Sequence, residues 1–239
     1  QAAVDALIAE PSETNLTAAR TAWKAARVPY QQSEVFRFGN PIVDDWEGGL
    51  NAWPLDEGLI DYVDASYGGA TDENEAAALN VIANPTFTLS GAEVDATEIT
   101  PDLLKNTLQE ADGVEANVAT GYHAIEFLLW GQDLNGNGPG AGNRPWTDYA
   151  VGDDCTNNNC ERMRLGLMLN DPEEEQDCFS DNTHNSHYYD GLGIQNVYLG
   201  SYTRIDGSTV SGASLSDLVA EADAALDTEM RLILATTMR

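Results

Sequence analysis

The sequence predicts an all-α protein built of helical bundles, with long ordered loops and little or no β-structure. Helical periodicity dominates the first and last thirds of the chain, whereas the alternation typical of a strand is confined to residues 194–202. The 239 residues are 42% hydrophobic and 21% charged, a globular composition. They suffice for one large domain or two small ones with a substantial core.

The first long helix is predicted from Asn15 onward, and one of its faces is unusually polar. After one leucine, two aromatic residues alternate there with three arginines and a glutamate. The face consists of Leu16, Arg20, Trp23, Arg27, Tyr30, Glu34 and Arg37. Pro29 should kink this helix, because proline removes a backbone donor. Since buried charges need partners, the stripe either flanks an alanine-rich buried stripe or faces a polar cavity lined by Arg27, Tyr30 and Arg37.

Helices and loops alternate along the rest of the chain. Further helices are predicted over residues 73–83, over residues 101–130 with a possible break at Gly113, and over residues 216–237. Loops are predicted over residues 39–70, with short helical turns, and over residues 131–145 and 170–190.

The strongly acidic composition argues against negatively charged binding partners. The chain has 40 acidic and 11 basic residues, giving a formal net charge of −29. Such a surface repels nucleic acid and anionic lipid and attracts cations. Because no run of eighteen apolar residues occurs, we expect no transmembrane segment.

The cysteines favour a location outside the cytoplasm. Cys155 and Cys160 bracket a short polar loop that a disulfide could close, which leaves Cys178 free or paired elsewhere. The chain begins at Gln1 without a leader pattern, so we expect a mature product whose targeting segment has been removed.

His123 and Glu126 form the main candidate metal site. Three residues apart on a predicted helix, they project from one face and could chelate iron or zinc. The alternative is a histidine that is simply hydrogen-bonded to its neighbour. The zinc-protease motifs HExxH and HxxEH both fail, because Ala124 and Phe127 stand at the required positions.

The other two histidines, His184 and His187, lie in a segment that also carries Asp181. These three are secondary metal-ligand candidates, although Asp and His are equally natural as caps and turn residues. The loop that starts at Asp133 imitates the opening of an EF-hand, but Arg144 replaces the essential final glutamate. A Gly/Asn-rich turn is therefore expected there.

Several segments resemble the imelysin family. GYHAIEFLLWGQD (121–133) is similar to its G-x-H-x-x-E signature. ARTAWKAARVPYQQSEVFRFGNPIVDD and AWPLDEGLIDYV resemble its first helix and following loop, and SDNTHNSHYYDGLGIQNVYLGSYTR resembles a block of its iron-regulated members. The resemblance implies two four-helix-bundle halves in the bacterial cell envelope and a presumed metal pair at His123 and Glu126. We therefore expect the protein in the periplasm, in the outer cell envelope or secreted.

The resemblance also frames the function and the domains. We expect an iron-uptake protein that binds a divalent or ferric ion or a metal complex, with other iron-uptake envelope proteins as possible partners. The alternatives are a zinc metallopeptidase and a non-catalytic scaffold module. Glu34 is inferred as a third ligand from its place on the polar helix face. The predicted bundles span residues 1–160 and 161–239, and because the family is usually longer, a segment near 160/161 is suspected to be missing.

Overall fold

The computed structural model describes residues 1–37, 39–71, 76–136, 138–169 and 179–238. Its α-helices in chain order are α1 (Ala2–Ala9), α2 (Glu13–Gln31), α3 (Pro41–Glu47), α4 (Glu57–Ile60), α5 (Tyr122–Trp130), α6 (Cys160–Leu169), α7 (Thr183–Leu199), α8 (Leu215–Ala222) and α9 (Ala224–Thr237). A π-helical segment covers Leu103–Leu108, and short 3₁₀ turns lie at Glu34–Phe36, Ala65–Tyr67, Ala111–Gly113, Trp146–Tyr149 and Gly152–Asp154. The predicted mostly helical fold is confirmed.

The described β-structure consists of two antiparallel hairpins. The first pairs β1 (Thr86–Leu89) with β2 (Ala92–Asp95), with Thr86 opposite Asp95. The second pairs β3 (Ser201–Thr203) with β4 (Thr209–Ser211), with Ser201 opposite Ser211. Strand structure is therefore minor, as predicted, although the first hairpin was not foreseen.

The chain divides into two compact units. The first unit comprises Gln1–Lys24 and Asp45–Asn182, and the second comprises Ala25–Asp44 and Thr183–Arg239. The bundle boundary near residue 160 and the missing segment suspected there stay predictions.

Helix α5 is the centre of the first unit. All nine of its side chains are buried, which its almost uniformly apolar sequence requires. The surrounding core includes Leu16, Leu59, Tyr149 and Met163, each fully buried. Burial of each large apolar side chain stabilises the fold by about 1.5–3 kcal/mol, so α5 is firmly embedded.

Polar contacts join the C-terminal helices of the second unit. The Tyr198 hydroxyl donates to Asp227 Oδ1 at 2.9 Å, and the Ser216 hydroxyl donates to the same oxygen. Helix α8 begins with a capping box between Ser214 and Asp217. Its polar Ser216 is buried while Leu218 is 64% exposed, so the leucine side of α8 faces solvent in this structure.

Three predicted helices differ from the observed ones because of turn residues. The first ends at Gln31, two residues after Pro29, and a 3₁₀ turn follows instead of a continued helix. The predicted 101–130 helix is interrupted by left-handed backbone at Glu110 and Asp112. The 216–237 helix is split at Asp223, whose side chain caps α9 through the Ala225 and Leu226 amides.

Long-range contacts explain the remaining differences. In the predicted 73–83 helix, residues 73–75 lie outside the described part, and residues 76–83 contain turns. The Asn80, Val81 and Ile82 amides there donate to carbonyls of residues 58–60. Residues 183–190, expected to be irregular, and 194–199, expected to be a strand, belong to α7. Gly193 permits this helix to pack closely against the Gln32 backbone, because a Cβ at position 193 would lie 2.5 Å from the Gln32 carbonyl oxygen.

Candidate metal site

His123 and Glu126 meet on one turn of α5, as the sequence predicted. Both side chains are fully buried, and His123 Nδ1 lies 3.1 Å from Glu126 Oε2. The i,i+3 spacing stacks the two side chains on the same helix face. A nitrogen donor and a carboxylate oxygen are thereby brought into direct contact inside the core of the first unit.

A backbone amide holds the second carboxylate oxygen. The Ser180 N–H donates to Glu126 Oε1 at 2.8 Å. The same peptide group is anchored on its other side, because the Gly142 N–H donates to the Phe179 carbonyl at 2.9 Å. Lys24 Nζ donates to the Ser180 carbonyl at 2.6 Å. Glu126 is therefore held by a segment that is itself fixed at two backbone groups, the carbonyls of Phe179 and Ser180.

Aromatic side chains cover the pair. The Trp53 ring lies 4.6 Å from the His123 ring, centroid to centroid, and its edge meets Phe179 at 5.9 Å. Phe179 in turn packs on Phe127 at 5.3 Å. Trp53 is 41% exposed whereas His123 is fully buried, so the Trp53 ring separates the imidazole from solvent on this side.

The carbonyls at the end of α5 are satisfied by side chains and backbone of distant residues. The Tyr149 hydroxyl donates to the Leu128 carbonyl, Arg20 Nε to the Leu129 carbonyl at 3.0 Å, and the Arg144 amide to the Trp130 carbonyl at 2.7 Å. Arg20 places a positive charge where the helix dipole favours it. These contacts fix α5, and with it the His123–Glu126 pair.

Arg144 forms a buried ionic network beside α5. Its Nη1 donates to Asp61 Oδ2 at 2.6 Å and to Asp148 Oδ2 at 3.0 Å, and the Tyr62 hydroxyl donates to Asp148 at 2.7 Å. Burial raises the pKa of Asp61, and the positive charge of Arg144 opposes that rise. The guanidinium also lies 5.4 Å from the centre of the Phe127 ring. From the sequence, Arg144 stood out only as the residue in place of the final glutamate of a calcium loop, and no pattern indicated this ionic network.

Comparison with known proteins assigns the chain to a family. The sequence profile of the Imelysin family, designated Peptidase_M75, matches residues 1–163 and 157–239. The chain belongs to the imelysin family. A curated relative, "Iron-regulated protein A" of Synechococcus elongatus (strain ATCC 33912 / PCC 7942 / FACHB-805), is 41% identical over 46 residues. This match covers 19% of the chain and only 13% of that protein.

The part of the predicted polar stripe from Arg27 to Arg37 forms a charged cluster in the second unit of this imelysin. Glu34 accepts from Arg37 Nε at 2.7 Å, and Arg37 also donates to the Tyr30 hydroxyl. Arg27 is buried, donates to Gln31 Oε1 at 2.7 Å and stacks on Tyr30. That Glu34 is a metal ligand, and that Arg27, Tyr30 and Arg37 line a polar cavity, stay predictions.

The secondary candidates occupy different settings. Asp181 belongs to the first unit and accepts from the Gly140 amide at 3.0 Å, which ties the 131–145 loop to the segment that holds Glu126. His184 and His187 lie at exposed positions in the first turns of α7, in the second unit. Their role as ligands stays a prediction.

The loop and cysteine predictions have clear outcomes. Asp133 Oδ1 accepts from the Asn135 amide at 2.8 Å, so the EF-hand-like opening forms an Asx turn.

The predicted disulfide joins Cys155 and Cys160, whose Cα atoms are 6.0 Å apart. Cys178 lies outside the described residues. Across the described ranges, no helix has the length and apolar content needed to cross a membrane.

The donor set fits a metal in kind but supplies only two ligands. Imidazole nitrogen and carboxylate oxygen are suitable for iron and for zinc. In the part of the chain that the structure describes, no group of three or more His, Cys, Asp and Glu side chains is arranged to hold a metal ion. A metal held by this pair would need further donors.

Proposed function

We propose that this imelysin binds iron, as an ion or as a metal complex, at the His123–Glu126 pair and serves iron uptake. The observation that carries the proposal is the buried pair itself, with 3.1 Å between His123 Nδ1 and Glu126 Oε2. A carboxylate and an imidazole buried together in a family with an iron-regulated relative favour a metal as the cargo.

Iron is the cargo of this site, and zinc is the nearest competitor. Two protein donors leave coordination positions for water, for the other ligands of a metal complex, or for the predicted ligand Asp181 of the same unit. A complex that brings its own donors needs few from the protein, which suits a site with two.

The net charge supports cation binding, and the disulfide supports an envelope location. The formal net charge of −29 attracts cations and raises their concentration near the surface. The Cys155–Cys160 disulfide fits an oxidising compartment such as the periplasm or the cell exterior. Other iron-uptake proteins of the envelope are the partners that we propose.

Titration of the metal-free protein with Fe²⁺, Fe³⁺ citrate and Zn²⁺ tests the proposal. His123→Ala and Glu126→Gln should each weaken binding at least about tenfold, because each removes a donor from the pair. Glu93→Gln is the matched control, since it removes the same charge from an exposed position on β2. Equal affinities in all four proteins would contradict the proposal, and chelator-sensitive cleavage of an unfolded protein that Glu126→Gln abolishes would favour a peptidase instead.

A further inference from the structure

We propose that the second unit binds an uncharged saccharide in a cleft between the end of α2, helix α7 and the β3–β4 hairpin. The cleft has a volume of about 580 Å³, within the range of about 300–1,000 Å³ that is typical of small-molecule sites. Every residue that lines it belongs to the second unit. The inference is independent of the metal proposed at His123 and Glu126.

The end of α2 packs on α7 along one side of the cleft. Gly193 allows this contact, since a Cβ at its position would lie 2.5 Å from the Gln32 carbonyl oxygen. Asn196 Nδ2 donates to Gln32 Oε1 at 2.7 Å, and Gln32 Nε2 donates to the Val28 carbonyl at 3.1 Å. Gln32 thus uses both ends of its amide, whereas Asn196 uses only its nitrogen within the described part of the chain. The Asn196 side-chain oxygen is left to accept a hydrogen bond from a ligand hydroxyl.

The cleft is neutral in a strongly charged chain. Among the described residues, those that line it are all uncharged, although the chain has 40 acidic and 11 basic residues. A cleft of similar volume in the first unit, about 520 Å³, is lined in part by Asp95, Glu98 and Asp102. A charged ligand in the neutral cleft would lose hydration without gaining a charged partner, which is unfavourable. The lining therefore favours a ligand without formal charge.

The polar and aromatic groups of the cleft match the two surfaces of a sugar. Ser201, Tyr202 and Ser211 bring hydroxyls to the lining, and a hydroxyl both donates and accepts, as sugar hydroxyls do. Phe36, in the 3₁₀ turn after α2, also lines the cleft and is 64% exposed. Its flat apolar ring can cover the C–H face of a pyranose while the hydroxyls and the Asn196 amide bind the polar edge.

The hairpin favours a saccharide over an extended peptide. Ser201 pairs with Ser211 and Tyr202 with Val210 at the cleft, and the Gly212 amide donates to the Gly200 carbonyl at 2.9 Å. An extended peptide is bound chiefly by main-chain hydrogen bonds to an open strand edge. Each strand already has one edge paired at the cleft, which leaves side chains as the main source of hydrogen bonds.

Gly212 allows the cleft to be blocked without disturbing the fold. It lines the cleft, and a Cβ at its position would meet no atom within 4 Å. Gly212→Trp should therefore fill part of the cleft while the protein keeps its melting temperature. Gly69→Trp is the matched control, because a Cβ at Gly69 likewise meets no atom within 4 Å and Gly69 lies in the first unit.

Isothermal titration calorimetry with three neutral disaccharides, maltose, cellobiose and N,N′-diacetylchitobiose, tests the proposal. We expect at least one of them to bind the wild type and Gly69→Trp equally well and to show no binding to Gly212→Trp. Failure of all three to bind the wild type, or equal binding to Gly212→Trp, would overturn the proposal. A capped, uncharged apolar tripeptide is titrated in parallel. If it binds where the disaccharides do not, and Gly212→Trp abolishes that binding, the cleft is a peptide site instead.

Phe36→Ala tests the stacking separately. Because the ring is largely exposed, its loss should leave the melting temperature unchanged and weaken disaccharide binding about tenfold. Ile42→Ala is the control, since it removes an apolar side chain of the same unit that is 75% exposed and does not line the cleft. Equal disaccharide affinities of the two variants would contradict the role of the Phe36 ring.

Discussion

Arg144 carries a permanent positive charge into the core of the first unit. Its side chain is fully buried against two carboxylates, Asp61 and Asp148. Such a pair adds little net stability compared with apolar packing, because both charges lose their hydration. Removal of one partner strongly destabilises the fold, since the other charges then remain buried without compensation.

Arg144→Met should therefore destabilise the protein by about 3–5 kcal/mol. The free energy of unfolding from denaturant titration at neutral pH measures the effect. Arg204→Met is the control, because Arg204 is exposed in the β3–β4 hairpin and its loss should cost less than about 0.5 kcal/mol. A cost below about 1 kcal/mol for Arg144→Met would contradict the ionic role assigned to this residue.

At the level of single residues, the sequence revealed the side chains of the site but not their supports. His123 and Glu126 could be predicted because their spacing on a helix is a side-chain pattern. The Ser180 amide could not, since a backbone donor leaves no trace in residue type. Lys24 offered a weak signal, as one of two lysines in a very acidic chain, but its contact spans 156 positions.

Among the elements, helix α4 starts with an acidic pair that makes its stability depend on pH. Asp56 caps the helix by accepting from the Gly58 amide at 3.1 Å, and Glu57 follows in the first turn. Burial, helped by the nearby charges of Asp56 and Asp133 and opposed by a hydrogen bond from Gln132, raises the pKa of Glu57 to about 7. Among the described residues, Glu57 Oε2 is buried without a hydrogen-bond partner.

The sign of the pH effect follows from this rise. The folded protein binds the Glu57 proton more tightly than the unfolded chain, whose glutamate pKa is near 4.5. The stabilising contribution is complete below about pH 4.5 and is lost as pH rises to about 7. Glu57→Gln should therefore gain stability relative to wild type across this window and keep a constant advantage above it. Parallel unfolding titrations from pH 4 to 8 measure the difference, and a difference that does not change with pH would contradict the account.

Element boundaries depended on contacts that periodicity does not report. Helix α5 lay within the predicted 101–130 helix, but the same spacing continued across Glu110 and Asp112, where the backbone is left-handed. Helix α7 was missed because Gly191 and Gly193 disfavour a helix locally. Gly193 can approach the Gln32 backbone closely only because it has no side chain, and this contact is visible only in the three-dimensional structure.

For the whole molecule, the acidic composition was informative from the sequence alone. A formal net charge of −29 spread over 239 residues opposes compaction by self-repulsion. Salt screens this repulsion, since the Debye length falls from about 30 Å at 0.01 M to about 3 Å at 1 M. The division into two units, in contrast, joins distant stretches of the chain and could not be read from composition.

The melting temperature should therefore rise as sodium chloride increases from about 0.01 M to about 1 M. Differential scanning calorimetry of the metal-free protein measures this shift. Sucrose of equal osmolality is the control, because it stabilises compact states without screening charge. An unchanged or falling melting temperature in salt would show that self-repulsion does not limit the stability of this chain.

The proposed function requires that His123 and Glu126 hold a metal. Its most direct test is elemental analysis of purified wild-type protein, His123→Ala and Glu93→Gln after iron loading and dialysis against a weak chelator. We expect about one iron per chain in the wild type and in Glu93→Gln, and almost none in His123→Ala. Equal iron in all three proteins, or none in any of them, would contradict it.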